Sequence, residues 1–87
     1  MTRAYVLVNT EPGQTGAVQQ ALRARPGIHA ADLVIGPYDL ILQLEAADIH
    51  AIGKLVMTEI RGVAGVLNTL TCPVVEPPAD TGGTRSD

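Results

Sequence analysis

The chain predicts an α+β fold: a four-stranded antiparallel sheet with two helices on one face. Three observations carry that reading. Short β-rich runs alternate with segments whose apolar residues recur at three- and four-residue spacing, in the order β-α-β-β-α-β. The two central runs, Ala31 to Ile35 and Leu40 to Ala46, are separated only by Gly36-Pro37-Tyr38-Asp39, and strands joined this tightly must be antiparallel neighbours. The halves also repeat, because the shift that lays Gly27-Ile28 on Gly65-Val66 lays Val18 on Val56, Leu22 on Ile60 and Arg23 on Arg61.

Strand one is the run Ala4 to Val8, closed by the turn cluster Asn9-Thr10-Glu11-Pro12-Gly13. From Thr15 to Arg25, Ala17, Val18, Ala21 and Leu22 form one face and Gln19, Gln20, Arg23 and Arg25 the other, giving an amphipathic helix stopped by Pro26-Gly27. Strand two is expected from Ile28 to Ile35. In the hairpin that follows, Gly36 can take a positive φ, Pro37 has its φ fixed near a turn value, and Asp39 can bond its own backbone. Strand three places Leu40, Leu42, Leu44 and Ala46 on one face and Ile41, Gln43 and Glu45 on the other. Asp48 suits the N-cap of a second helix ending at Gly62, with an expected buried stripe of Ile49, Ile52, Leu55, Val56 and Ile60. Strand four runs from Val66 to about Val75, where Pro73 is tolerable only near a strand end or sheet edge. Two β-α-β units joined by a hairpin make the ferredoxin-like sandwich. Residues 1–75 are therefore expected to form one domain, and residues 76–87, polar and rich in Pro and Gly, a disordered tail.

Composition narrows the function. A chain of 87 residues that is 46% hydrophobic holds one small core, whose marginal stability a partner subunit would raise. The formal charge is −3, and the tail from Glu76 holds three acids against Arg85, so the body is nearly neutral; direct DNA binding is not expected. Cys72 is the single cysteine, which excludes an internal disulfide and any Cys-x-x-Cys metal or redox site. No signal sequence is evident, the apolar runs are too short for a membrane span, and a cytoplasmic location is the default.

The strands carry apolar residues on both faces: Val6 and Val8 against Tyr5 and Leu7, Leu42 and Leu44 against Ile41. Two helices cover only one face of a sheet. A second copy packed face to face would cover the other, making a homodimer of the α/β-barrel kind with a self-complementary interface. Tyr38 adds to this, because a turn gains nothing from a phenol; it packs against another subunit or touches a ligand.

The order of motifs resembles a known family. Strand one with its Pro12-Gly13 exit, a helix ending in Pro26-Gly27-Ile28, then Gly36-x-Tyr38-Asp39-Leu40-Ile41-Leu42, a second helix, Gly65-Val66 and the strand Thr69-Leu70-Thr71 is similar to the effector-binding (RAM) domain of the Lrp/AsnC, leucine-responsive/asparagine-regulator, transcription regulators. The resemblance covers Ala4 to about Val75. It implies a ferredoxin-like domain that dimerises through its sheets, assembles further into octameric or similar rings, and binds amino acids between dimers. Only Met1, Thr2 and Arg3 precede the first strand, so it implies a stand-alone domain without its own DNA-binding helix-turn-helix, acting on a full-length regulator of the family or another partner. Residue by residue, the family's effector loop falls on Gly36, Tyr38, Asp39 and Leu40, and its facing strand on Thr69 and Thr71. An amino-acid zwitterion needs an acceptor for its ammonium, which Asp39 supplies, and donors for its carboxylate, which backbone N–H groups and threonine hydroxyls supply. Equally, Asp39 can cap its own turn, Tyr38 can be packing between dimers, and Thr69 and Thr71 can be ordinary strand residues.

Other chemistry is thin. His29 and His50 are far apart in the expected fold, Cys72 has no basic neighbour in sequence to activate it, and Arg23, Arg25 and Arg61 read as a solvated helix rim. The same dimeric scaffold can host a small α/β-barrel enzyme of monooxygenase or isomerase type, which needs polar groups inside. The expected inward positions Val6, Val8, Leu42, Leu44, Val66 and Leu70 include only Asn68 as a polar member. A non-enzymatic, cofactor-free and metal-free sensor of a small effector is the reading this favours.

Overall fold

The computed structural model describes residues 1–75, so the expected tail at 76–87 lies outside the described residues. The elements are β1 (Thr2–Thr10), α1 (Thr15–Arg23), β2 (Ile28–Leu33), β3 (Leu40–Ala46), α2 (Ile49–Leu55) continued by a π-helical turn (Val56–Ile60), and β4 (Val66–Pro73). The strands lie in the order β2-β3-β1-β4 with every neighbour antiparallel. This is the ferredoxin-like βαββαβ sandwich. Strict alternation in the two central strands buries Ala4, Val6 and Val8 of β1 and Leu40, Leu42 and Leu44 of β3 against Val18 and Leu22 of α1 and Ile52, Val56 and Ile60 beyond it.

The repeat is visible as a crossed pair of close approaches. A Cβ on Gly27 would stand 2.7 Å from Leu55, and one on Gly65 would stand 2.8 Å from Val18. Each glycine leads into the last strand of its own half and lies against the helix of the other half. Both also have positive φ, 83° and 96°, where a side chain is strained whatever the space.

Several local expectations differ from the structure, each for a physical reason. Strand two ends at Leu33, because the hairpin begins to turn before Ile35, which is fully exposed. In β4 the register shifts between Asn9 and Thr10, which pair with Asn68 and Val66, so Leu67 is an extra residue. Such a bulge reverses the parity of everything beyond it. Thr69 and Thr71 therefore face the helices opposite Val8 and Val6, whereas Asn68 and Leu70, expected inward, lie on the other face. A second shift in β2 skips His29, so that Ile28 and Ala31 share a side opposite Leu44 and Leu42. In α2, Asp48 caps as expected, its Oδ1 accepting from the Ala51 N–H at 2.8 Å. Ile49, expected in the buried stripe, is exposed: helical side chains lean toward the N-terminus, so the first residue leans past the layer below it. The π-helical turn, marked by the Arg61 N–H donating to the Val56 carbonyl at 2.9 Å, has no signature in the sequence.

The face of the sheet away from the helices carries Leu7 between Ile41 and Leu70, with Tyr5 beside Cys72. Leu70 is 48% exposed and Tyr5 37%. Arg3, Gln43, Glu45, Asn9 and Asn68 surround this apolar strip at register positions of the same parity.

Candidate functional site

The β2–β3 hairpin is held to the end of β1 by a chain of hydrogen bonds. Asp39 donates its backbone N–H to the Val8 carbonyl at 2.9 Å, and its own carbonyl accepts from Val34 N–H at 3.0 Å. The carboxylate does not cap its own turn. Oδ2 accepts the Thr10 N–H at 2.8 Å and faces the Thr10 hydroxyl at 3.3 Å. The reason lies at the end of the ladder, where β1 runs past its last pair with β3, Val8 with Leu40, and the next inward residue, Thr10, is buried. A buried N–H there requires an acceptor, and Asp39 provides it. The Thr10 hydroxyl also meets the Thr15 hydroxyl at 2.7 Å, linking the hairpin to the first turn of α1. Asn9 Nδ2 donates to the Pro37 carbonyl at 2.8 Å and fixes the tip.

Gly36, at φ 147°, Tyr38 and Asp39 are thus gathered on one anchored tip, with Ile35 beside them in solvent. Leu40 lies beneath it, fully buried in the core. Thr69 and Thr71 are not at the tip. They sit half-buried on the helix side of β4, and Thr69 is separated from Leu40 by Val8, two strand spacings or about 10 Å. Thr10 and Asn9, which organise the hairpin, were not singled out by sequence reasoning. Their signal was available only as turn-forming residue types, which say nothing about a partner 28 or 29 positions away.

Elsewhere the polar groups are paired or scattered. His29 Nε2 approaches Glu45 Oε1 at 3.2 Å beside a cavity of about 120 Å³ lined by Arg3, Tyr5 and Gln43 among others. Arg25, expected in a solvated rim, reaches Glu59 at 3.3 Å. Cys72 is a free thiol, and among the described residues no three metal-ligating side chains cluster. No described helix is long and apolar enough to cross a membrane.

A filled apolar core under a two-helix layer, with a hydrogen-bonded hairpin projecting from it, defines a ferredoxin-like α+β domain. The chain belongs to the Lrp/AsnC ligand binding domain family, whose model matches residues 3–84. It is 31% identical over 74 residues to the HTH-type transcriptional regulator PF0250 of Pyrococcus furiosus, an alignment covering 80% of this chain and 49% of that protein. The chain thus spans about half the length of the curated relatives it matches. The crystal structure of TTHA0845 from Thermus thermophilus superposes with a TM-score of 0.83 at 25% identity, covering 92% of this chain and 100% of that one. The transcriptional regulator NMB0573 of Neisseria meningitidis, solved as a complex with L-Met, shares the fold: TM-score 0.77 at 17% identity, over 97% of this chain and 56% of that one.

Proposed function

We propose that this domain is an effector-binding regulatory module that pairs through its open sheet face and takes a small amino-acid-like molecule at the hairpin. The observation that carries the reading is the anchored tip. This loop, which bears an exposed isoleucine and a tyrosine, is hydrogen-bonded to β1 and, through Thr10, to α1. A preorganised surface loses less entropy when a ligand or a second subunit settles on it. A carboxylate has about four lone-pair sites. Both Thr10 contacts fall on Oδ2 of Asp39, leaving Oδ1 to receive an ammonium.

In this reading Gly36, Tyr38 and Asp39 contact the effector, and Leu40 holds the tip from below. Thr69 and Thr71 join the site from a neighbouring copy in a higher assembly of dimers, because within one chain Val8 of β1 stands between Thr69 and the base of the hairpin. The L-Met complex of the Neisseria regulator supports an amino acid as the chemical class. The HTH-type relatives support a regulatory output. With a net charge of −3, the module is assigned to modulating a regulator of its own family or another partner, not to contacting DNA. A chain of this class belongs in the cytoplasm.

A thermal-shift screen of the natural amino acids, with light scattering on the same samples, tests the proposal. A ligand at a hundred times its Kd adds about 2.7 kcal/mol, which moves the Tm of a domain this size by roughly 10–20 °C. A dimer or larger species with one responsive amino acid is the expected result. A monomer unaffected by every amino acid would contradict both parts.

A further inference from the structure

The outward side of α2 is built like half of a helix pair. His50, Gly53 and Lys54 stand at i, i+3 and i+4 of α2, and Met57 of the π-helical turn closes the same depression, a setting for a knob from a facing helix. With Thr58 they line a shallow, almost wholly apolar groove of about 560 Å³. Gly53 is its floor, and a Cβ there would meet nothing within 4 Å, so the missing side chain leaves open space and serves no internal packing. Ile49 and Met57 flank the notch two helical turns apart, 54% and 68% exposed. A second depression, lined by Met57, Arg61 and Gly62, extends the groove over the π-helical turn, an irregularity that recurs at functional sites.

Charge selects the occupant. Lys54 and Arg61 are exposed along this groove, while the nearby carboxylates are committed elsewhere, Glu59 to Arg25 and Asp48 to its helix cap. A molecule of net charge −3 therefore carries a basic rim around an apolar notch. A second copy of α2 crossing at the notch would bring the two Lys54 ammonium groups together near the two-fold axis, and the outer side of α1 brings Arg23. We propose that the outward side of α2 docks an acidic amphipathic helix of a partner protein, a large apolar side chain entering the notch over Gly53 and flanking carboxylates meeting Lys54 and Arg61. This is helix-in-groove recognition, independent of the effector reading.

The test uses the intact chain and a fluorescein-labelled peptide of roughly 18 residues, long enough to be helical. Leucines occupy its i, i+3, i+4 and i+7 positions with glutamates on either flank; a twin carries lysine in place of every glutamate. Fluorescence anisotropy should show micromolar binding of the acidic peptide and at least about tenfold weaker binding of the twin. Gly53→Leu fills the notch at a helical position that accepts leucine readily. It should keep the parent Tm and lose about tenfold or more in affinity. The pair Lys54→Glu and Arg61→Glu should invert the preference toward the lysine twin, which keeps the test decisive should Gly53→Leu fold poorly. No binding of the acidic peptide at about 1 mM, or unchanged binding by either variant, would overturn the proposal. A change of oligomeric state in Gly53→Leu would also overturn it, assigning the groove to a second copy.

Discussion

Replacing Asp39 separates its part in the fold from its part in binding. In Asp39→Ala the Thr10 N–H, at a residue only 6% exposed, loses its acceptor. The Thr10 hydroxyl keeps Thr15 at 2.7 Å, so one donor and not two is orphaned. A buried unsatisfied donor costs about 1–3 kcal/mol. Taking about 2 kcal/mol and the 4–8 °C per kcal/mol typical of a domain this size, the Tm should fall by roughly 8–16 °C. Asp39→Asn retains an oxygen in the same place and loses only the charge on the acceptor, so it should cost about 1 kcal/mol or less. Circular-dichroism melts and urea titrations of the three proteins, without ligand, supply both numbers. If alanine and asparagine prove equally mild, the Thr10 bond does not hold the hairpin and the preorganised tip disappears from the account.

Three further outcomes follow from the same structure. Gly65→Ala combines a left-handed φ with a Cβ 2.8 Å from Val18, and should lose about 2–4 kcal/mol in urea unfolding, while Gly62→Ala, whose Cβ meets open space, should be near neutral. Leu7→Lys places a charge between Ile41 and Leu70 on the open face; light scattering should report a monomer with an unchanged far-ultraviolet spectrum, and a persistent dimer would move the interface elsewhere. Asp48→Ala removes the acceptor for the Ala51 N–H and should lower stability by about 1 kcal/mol, measured by thermal melting.

What was legible in the sequence was whatever depends on local periodicity. The alternation of Val6, Val8, Leu42 and Leu44, the stripe Ile52, Val56 and Ile60, and the turn chemistry of residues 36–39 each encode their own element, and together they give the element order and the layers. What was not legible depends on a single inserted residue or a distant partner. The extra Leu67 reverses the facing of Thr69, Leu70 and Thr71, yet a bulge leaves no mark in a strand whose residues on both sides suit a sheet. The tie between Asp39 and Thr10 joins positions 29 apart and arises only because β1 outruns its ladder with β3. Ile49 satisfied the helical period but stood at the end of the helix, where the period no longer guarantees a surface to pack on.

The claim that this hairpin is an effector site rests most directly on the ligand-induced change in Tm, compared between the parent and Asp39→Asn with the amino acid that stabilises the parent most. If Asp39 receives the ammonium, the unliganded Tm values should agree within a few degrees and the ligand shift should vanish in the mutant. An undiminished shift in Asp39→Asn would remove Asp39 from the site and leave it only the Thr10 bond.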